Sequence, residues 1–305
     1  MEQSTALRRE ASRLGLCFLA FVLVTQTVQL LLSVLLAYCF PQFAAKPAAT
    51  WLMSYLPLYG IGLPVLLLLF KTIPAEHTAV PSSEKLSIPK FFQYFLLCLG
   101  ATYTFNFISL AISVGFTALT GSPMPNPVLQ VTSGNGPIAV FFFLCVLPPI
   151  GEEFICRKLI WNRIGAFGTR VYVVVSALIF ALIHGNFSQF FYAFALGAIF
   201  AYIYAHTGRL IYTILLHFGI NLVGTVIAPA AISVLGEAGD LVLGIFVIAC
   251  IAGAVILWLR REFWLFGKDP SAQEFRVRDA LTAPGMIAMI VILLLLCFVS
   301  LFAYL

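Results

Sequence analysis

The sequence predicts an all-α fold, a polytopic transmembrane helical bundle of about nine spans with its N-terminus in the cytoplasm. Of the 305 residues, 62% are hydrophobic and only 10% are charged. The mean hydropathy is +1.04, whereas a soluble domain carries about 25% charged residues. The sequence therefore predicts a multi-pass integral protein of the cell membrane, with residues 1–305 forming a single membrane domain and the lipid bilayer as its first partner.

A membrane-spanning helix needs about 20 mostly apolar residues. The apolar runs lie near 14–40, 51–70, 92–119, 137–161, 171–186, 189–206, 210–229, 239–259 and 285–304. The fifth and sixth runs are short and only HGNFS separates them, which predicts a tight helical hairpin. The first run exceeds the apolar core of a signal peptide, about 7 to 15 residues, so we expect it to be a retained span.

The distribution of basic residues predicts the orientation, because Lys and Arg accumulate in cytoplasmic loops. Alternating the connections from an inside N-terminus puts every Lys and Arg on one side except Lys46. These basic residues are scattered singly and form no stripe, so nucleic acid is not expected as a partner. The seven cysteines show no CxxC spacing and mostly sit in apolar runs, where they are expected to pack as small hydrophobic residues.

Three polar stretches interrupt the apolar runs: GEEFICRK at 151–158, FALIH at 180–184 and HFGIN at 217–221. A charged side chain at mid-depth in a bilayer costs about 2.5 to 3.5 kcal/mol on the insertion scale, so each such stretch is a functional hypothesis.

Residues four apart share a helix face, so Glu153 and Arg157 are expected to pair, and Glu152 has no obvious partner nearby. With a rise of about 1.5 Å per residue, Glu152, His184 and His217 lie roughly 16, 21 and 12 Å from the nearest cytoplasmic edges. These depths place all three near the middle of the bilayer. We expect them to meet in one cavity that opens to the cytoplasmic side.

A carboxylate beside an imidazole can activate a water molecule for attack on a carbonyl. A second imidazole and an amide can stabilise the resulting oxyanion. Glu and His also bind zinc, so the metal requirement is unknown: a divalent metal such as zinc and metal-free activation of water are both open alternatives.

The three stretches resemble the motifs of the CAAX protease and bacteriocin-processing enzyme (CPBP) family, which includes the Ras-converting prenyl-protein endopeptidase. That family pattern is EExxxR, FxxxH and HxxxN on separate membrane helices, and the resemblance covers roughly 92–229. The chain departs from it at Lys158, where the family commonly has glycine.

The resemblance implies an intramembrane protease that hydrolyses a peptide bond of a membrane-associated peptide or protein, such as a CAAX-type tail or a bacteriocin leader. It implies that Glu152 is the general base, and that His184 helps to activate water. It further implies that His217 and Asn221 stabilise the oxyanion. It also implies that Glu153 and Arg157 hold the site together. The implied catalytic set is therefore Glu152, Glu153, Arg157, His184, His217 and Asn221.

Two alternatives remain open at this stage. A proton- or metal-coupled membrane transporter could use Glu and His as a relay, although only Pro148-Pro149 suggests the broken helices that transporters have. The chain could also be a non-catalytic immunity or scaffold member of the same family.

Overall fold

The computed structural model describes residues 2–72, 75, 79, 81, 83–260 and 275–302. Among these residues there is no β-strand, and helices account for nearly all of the chain. The predicted all-α fold is therefore confirmed. Arg261 and Lys268, which contributed to the predicted orientation, lie outside the described residues, and the orientation stays a prediction.

The described part of the chain contains nine apolar helical segments, eight of them long. They are α1 (Glu2–Cys39), α2 (Pro47–Thr72), α3 (Ile88–Thr120), α4 (Pro137–Phe167), α5 (Thr169–Ile183), α6 (Phe187–Thr207), α7 (Leu210–Leu235), α8 (Glu237–Leu259) and α9 (Pro284–Phe302). Eight of the described segments are long and apolar enough to cross a membrane. The exception is α5, which has 15 residues and a length of roughly 22 Å. The fold is that of a multi-pass membrane protein, with α5 as a short ninth segment.

Three short helices lie between these segments: Pro41–Ala44, Pro127–Ser133 and Val277–Leu281.

The ends of the helices follow local sequence signals. Proline is the first residue of α2, α4 and α9, where its missing N–H costs nothing and its fixed φ favours the helix. The side chain of Asn186 caps α6 by accepting a hydrogen bond from the Gln189 N–H at 3.0 Å. Gly185 has a φ of 67°, a left-handed conformation that suits glycine and lets the chain reverse between α5 and α6. The predicted tight hairpin is therefore present.

Close helix contacts depend on small residues. Helices α1 and α9 cross at Gly15 and Gly285, where an added Cβ would overlap the facing backbone. Helix α6 packs on α5 at Gly197, against Ala177. Small residues at crossings let helix backbones approach and gain van der Waals contact, which is one of the forces that drive helix association in lipid.

A buried polar cluster joins α1, α2 and α4 at the end of the bundle opposite the α5–α6 turn. Arg163 Nη2 donates to the Phe70 carbonyl at 2.8 Å, and its guanidinium lies 4.6 Å from the Phe70 ring centroid. Its Nη1 lies 3.6 Å from the Glu10 carboxylate, which is fully buried. These contacts attach α4, the helix with the EExxxR motif, to the N-terminal helix.

Candidate active site

Helix α4 is irregular where it carries the first motif. It contains two π-helical turns, Phe141–Val146 and Phe154–Leu159, on either side of the two prolines and two glutamates. The helix is thus distorted beside Pro148-Pro149, and it continues past Arg157 and Lys158 to Ile164. Such π-helical turns are frequent at functional sites. The Lys158 side chain is exposed, so it does not disturb the packing behind the motif.

Asn221 compensates for the two prolines. The Leu144 carbonyl has no N–H to accept at either of the usual positions, because the residues four and five further on are Pro148 and Pro149. Asn221 Nδ2 donates to this carbonyl at 2.8 Å. One amide hydrogen of Asn221 therefore joins α7 to the distorted part of α4. The other hydrogen is available to a ligand.

Glu153 and Arg157 form the predicted pair, and both side chains are fully buried. Arg157 Nε donates to Glu153 Oε2 at 2.8 Å, and Nη2 donates to Oε1 at 3.3 Å. Arg157 Nη1 donates to Ser176 Oγ at 2.7 Å, and the same hydroxyl donates to the Cys156 carbonyl at 2.7 Å. A two-pronged pair with further hydrogen bonds offsets the cost of burying both charges.

Two aromatic rings frame this ion pair. The Arg157 guanidinium carbon lies 4.7 Å from the centroid of the Phe180 ring and 5.7 Å from that of Phe200. The same two rings enclose His217, which stacks on Phe200 at 5.6 Å and meets Phe180 edge-on at 5.7 Å. The pair and the imidazole are thus held in one aromatic frame from α5 and α6.

His217 connects the buried pair to the second glutamate. Its Nδ1 donates to Glu153 Oε1 at 3.0 Å, because a carboxylate can only accept. Its Nε2 lies 3.9 Å from Glu152 Oε2, which is too long for a direct hydrogen bond. The exposed fraction of the Glu152 side chain is 20%, against 0% for Glu153. Two adjacent glutamates therefore face different surroundings: Glu153 faces the protein interior and Glu152 faces open space.

His184 has a fixed tautomer in its neutral form. The Phe180 carbonyl can only accept a hydrogen bond, so His184 Nδ1, at 2.6 Å, must carry the hydrogen. The lone pair is then on Nε2. The ring contacts Phe180 edge-on at a centroid distance of 4.9 Å.

One cavity of about 570 Å³ brings the polar motif residues together. Its wall includes Glu152 from α4, His184 directly after α5, and His217 and Asn221 from α7. Glu153 and Arg157 do not line it and lie behind this wall. The arrangement presents a carboxylate, two imidazoles and an amide to the same space.

The sequence reasoning missed three contributors to this arrangement. Ser176 lies four residues before Phe180 on the same face of α5, so helical spacing contained a signal for it. Phe200 carries no such signal, because its role depends on how α6 packs on α4. The third, Tyr59 of α2, lines the cavity and lies against Gly151, where a Cβ would fall 2.8 Å from the Tyr59 Cζ atom.

The described residues do not assemble a set of ligands for zinc. No group of three or more His, Cys, Asp or Glu that could hold a metal ion is found in the described part of the chain. His217 Nδ1 is occupied by Glu153, and three neighbouring donors are what a catalytic zinc site requires. The interpretation as a metalloprotease is not supported.

The cavity is lined in part by connections between helices, which matters for the side of the membrane on which it was predicted to open. Its wall includes Asn126 and Pro127 from the connection between α3 and α4, and Ser188 and Gln189 beside the α5–α6 turn. The orientation predicted from basic residues puts both connections on the non-cytoplasmic side. The side on which the cavity opens stays a prediction, because counting depth along single helices does not show which connections cover a cavity.

Comparisons with known proteins agree with the motif assignment. Residues 134–223 match the family model described as Type II CAAX prenyl endopeptidase Rce1-like, and this range holds all three motifs. The chain is 29% identical over 153 residues to the membrane-embedded CAAX protease MroQ of Staphylococcus aureus (strain USA300). That alignment covers 45% of this chain and 61% of the relative. No solved structure matches the chain. The three motifs and both matches show that the chain is similar to CAAX proteases over its central helices.

Proposed function

We propose that the chain is an intramembrane endopeptidase that hydrolyses a peptide bond of a membrane-associated substrate with a water molecule activated by Glu152 and His184. The observation that supports this most strongly is the shared cavity of Glu152, His184, His217 and Asn221. The similarity to a membrane-embedded CAAX protease supports the same class of reaction.

Glu152 is the proposed general base. Its carboxylate is partly exposed to the cavity and accepts no short hydrogen bond from His217, which lies 3.9 Å away. It is therefore free to accept a proton from water as the oxygen attacks the substrate carbonyl. His184 Nε2 would orient the same water, because its other ring nitrogen is held by the Phe180 carbonyl.

His217 and Asn221 are the proposed donors to the oxyanion of the tetrahedral intermediate. Glu153 accepts from His217 Nδ1, so Nε2 is the nitrogen that faces the cavity, and it donates when the ring is doubly protonated. Asn221 retains one amide hydrogen beyond the one given to Leu144. Donors held in place before the reaction stabilise developing charge without reorganising.

The test uses purified protein reconstituted in liposomes with a peptide fraction from the membranes of the source cells. We expect new peptide termini, detected by mass spectrometry, with wild-type protein and not with His184→Ala. His206→Ala is the matched control, since His206 does not line the cavity.

The absence of any new terminus at matched protein amounts would contradict the proposal. If instead the wild-type liposomes took up protons or divalent ions, and His217→Ala removed this uptake, the transporter alternative would replace it.

A further inference from the structure

A second cavity, separate from the active-site cavity, lies between α3, α6 and α8. It has a volume of about 490 Å³, and the two cavities share no lining residue. We call it the α3–α6–α8 groove. Small residues on all three helices leave its space open: Gly100, Ala101, Ala195, Ala198 and Ala254.

The wall of the groove is suited to a hydrocarbon chain. Among the described residues that line it none is charged, and most carry aliphatic or aromatic side chains. A polypeptide backbone placed against such a wall would leave N–H and C=O groups without partners, which costs free energy for each group. The three helices that form the groove are all candidate membrane spans. The hydrocarbon that surrounds them is therefore the acyl chains of the bilayer.

The length of the groove matches one leaflet. Its lining on α3 runs from Tyr94 to Phe105, and these positions are roughly 16 Å apart along the helix. The hydrocarbon core of a bilayer is about 30 Å thick, so the groove covers about half of it. A membrane-spanning helix of a second protein would need a surface along the full thickness. A lipid of one leaflet fits the groove better.

Three amphipathic aromatic residues mark one end of the groove. Tyr94, Tyr202 and Trp258 line it and lie within the two outermost turns of α3, α6 and α8. Tyr and Trp are enriched where a membrane meets water, because their rings are apolar and carry a polar group. This end of the groove is therefore at the level of the lipid headgroups.

Two basic residues lie at the same end. Helices α3 and α8 touch at Leu96 and Gly253, where an added Cβ would lie 2.8 Å from Leu96 Cδ2. Lys90 is six residues and Arg260 seven residues from this contact toward the headgroup end, or about 9 and 10 Å along their helices. The predicted orientation makes this end cytoplasmic, where the leaflet carries anionic lipids that attract Lys and Arg.

We infer that the α3–α6–α8 groove binds one anionic phospholipid of the cytoplasmic leaflet. One acyl chain lies between the three helices, and the phosphate lies at the end with Lys90 and Arg260. The inference does not depend on the proposed function, since the groove and the active-site cavity have different walls.

The experiment measures lipid binding to the purified full chain by native mass spectrometry. The two probes are phosphatidylglycerol, which is anionic, and phosphatidylcholine with the same acyl chains, which has no net charge. We expect one tightly bound phosphatidylglycerol per chain, with an affinity on the order of 25-fold above that for phosphatidylcholine. Lys90→Gln and Arg260→Gln should each lower this preference about fivefold. Lys71→Gln is the matched control, because Lys71 ends α2, away from the groove.

A second set of variants tests the position of the acyl chain. Ala198→Phe fills the groove from α6, and Val255→Trp fills it from α8, where the Val255 side chain is 50% exposed. Both should lose the bound lipid while keeping the Tm of the wild-type protein in detergent without added lipid. Ala249→Phe is the matched control on α8, since Ala249 does not line the groove.

Three results would overturn the inference. The first is retention of the lipid by either groove-filling variant with an unchanged Tm. The second is equal affinity for the two lipids, which would reduce the groove to a contact with any acyl chain. The third is an equal loss of preference in Lys71→Gln, which would indicate attraction to the whole basic surface and not to this site.

Discussion

The buried pair of Glu153 and Arg157 gives the most quantitative prediction of stability. Arg157→Met leaves the Glu153 carboxylate fully buried without its guanidinium, and it also removes the hydrogen bond to Ser176. Breaking one side of a buried ion pair costs about 3–5 kcal/mol. Glu153→Leu should lower the free energy of unfolding by a similar amount, because it leaves the Arg157 guanidinium buried without its carboxylate.

The double variant Glu153→Leu/Arg157→Met removes both charges, so it should be less destabilised than either single variant. The expected coupling energy between the two positions is therefore several kcal/mol, well above the roughly 0.5 kcal/mol within which independent sites are additive. A double-mutant cycle is needed because each single variant measures the cost of leaving one buried charge unpaired. It does not measure the contribution of the ion pair to the free energy of unfolding.

The assay is thermal unfolding in detergent, followed by a dye that becomes fluorescent on reaction with thiols. Cys156, next to Arg157, is buried, so we expect it to react with the dye only on unfolding. Each single variant should lower Tm by on the order of 5–10 °C, and the double variant should recover part of this. Additive losses in the double variant, or single variants with unchanged Tm, would refute the reasoning.

Three further predictions concern Asn221, Gly151 and the orientation of the chain in the membrane. Asn221→Ala should lower the free energy of unfolding by about 1–3 kcal/mol, because the Leu144 carbonyl loses its hydrogen-bond donor. Adding Pro148→Ala supplies a backbone N–H to this carbonyl, so the double variant should recover its Tm but not its cleavage activity. Gly151→Ala should lower cleavage strongly, since a Cβ would lie 2.8 Å from Tyr59 Cζ, and Tyr59→Leu in the same chain should restore part of the rate. Asn126→Cys, made in a Cys39→Ser background, should react in intact cells with a membrane-impermeant thiol reagent, because the predicted orientation puts Asn126 outside; labelling only after permeabilisation would contradict that orientation.

The sequence was sufficient for contacts that depend on one helix. Spacing of four residues predicted the pairing of Glu153 with Arg157, and the same spacing holds for the contact of Phe180 with His184. The helical runs were also predictable, since their length and apolar composition are set by the bilayer. The short α5 shows the limit of this reasoning: at 15 residues it lies below the usual length of a span, although the run around it was apolar.

Contacts between helices could not be predicted in the same way. The hydrogen bond from Asn221 to Leu144 joins residues 77 positions apart, and Phe200 reaches Arg157 only because α6 packs on α4. The side on which the cavity lies depends on the connections that cover it, such as the one with Asn126. Composition and periodicity carry no information about such long-range packing.

The central claim is that the two adjacent glutamates have different roles, Glu152 in the chemistry and Glu153 in the support of the site. The most direct measurement is the cleavage rate and the Tm of Glu152→Gln and Glu153→Gln, prepared side by side with wild-type protein. Loss of a general base should lower kcat by about 10²–10⁴-fold. Glu152→Gln should show this loss with an unchanged Tm, whereas Glu153→Gln should lower Tm because Arg157 loses its counter-charge. Wild-type cleavage by Glu152→Gln would contradict the account.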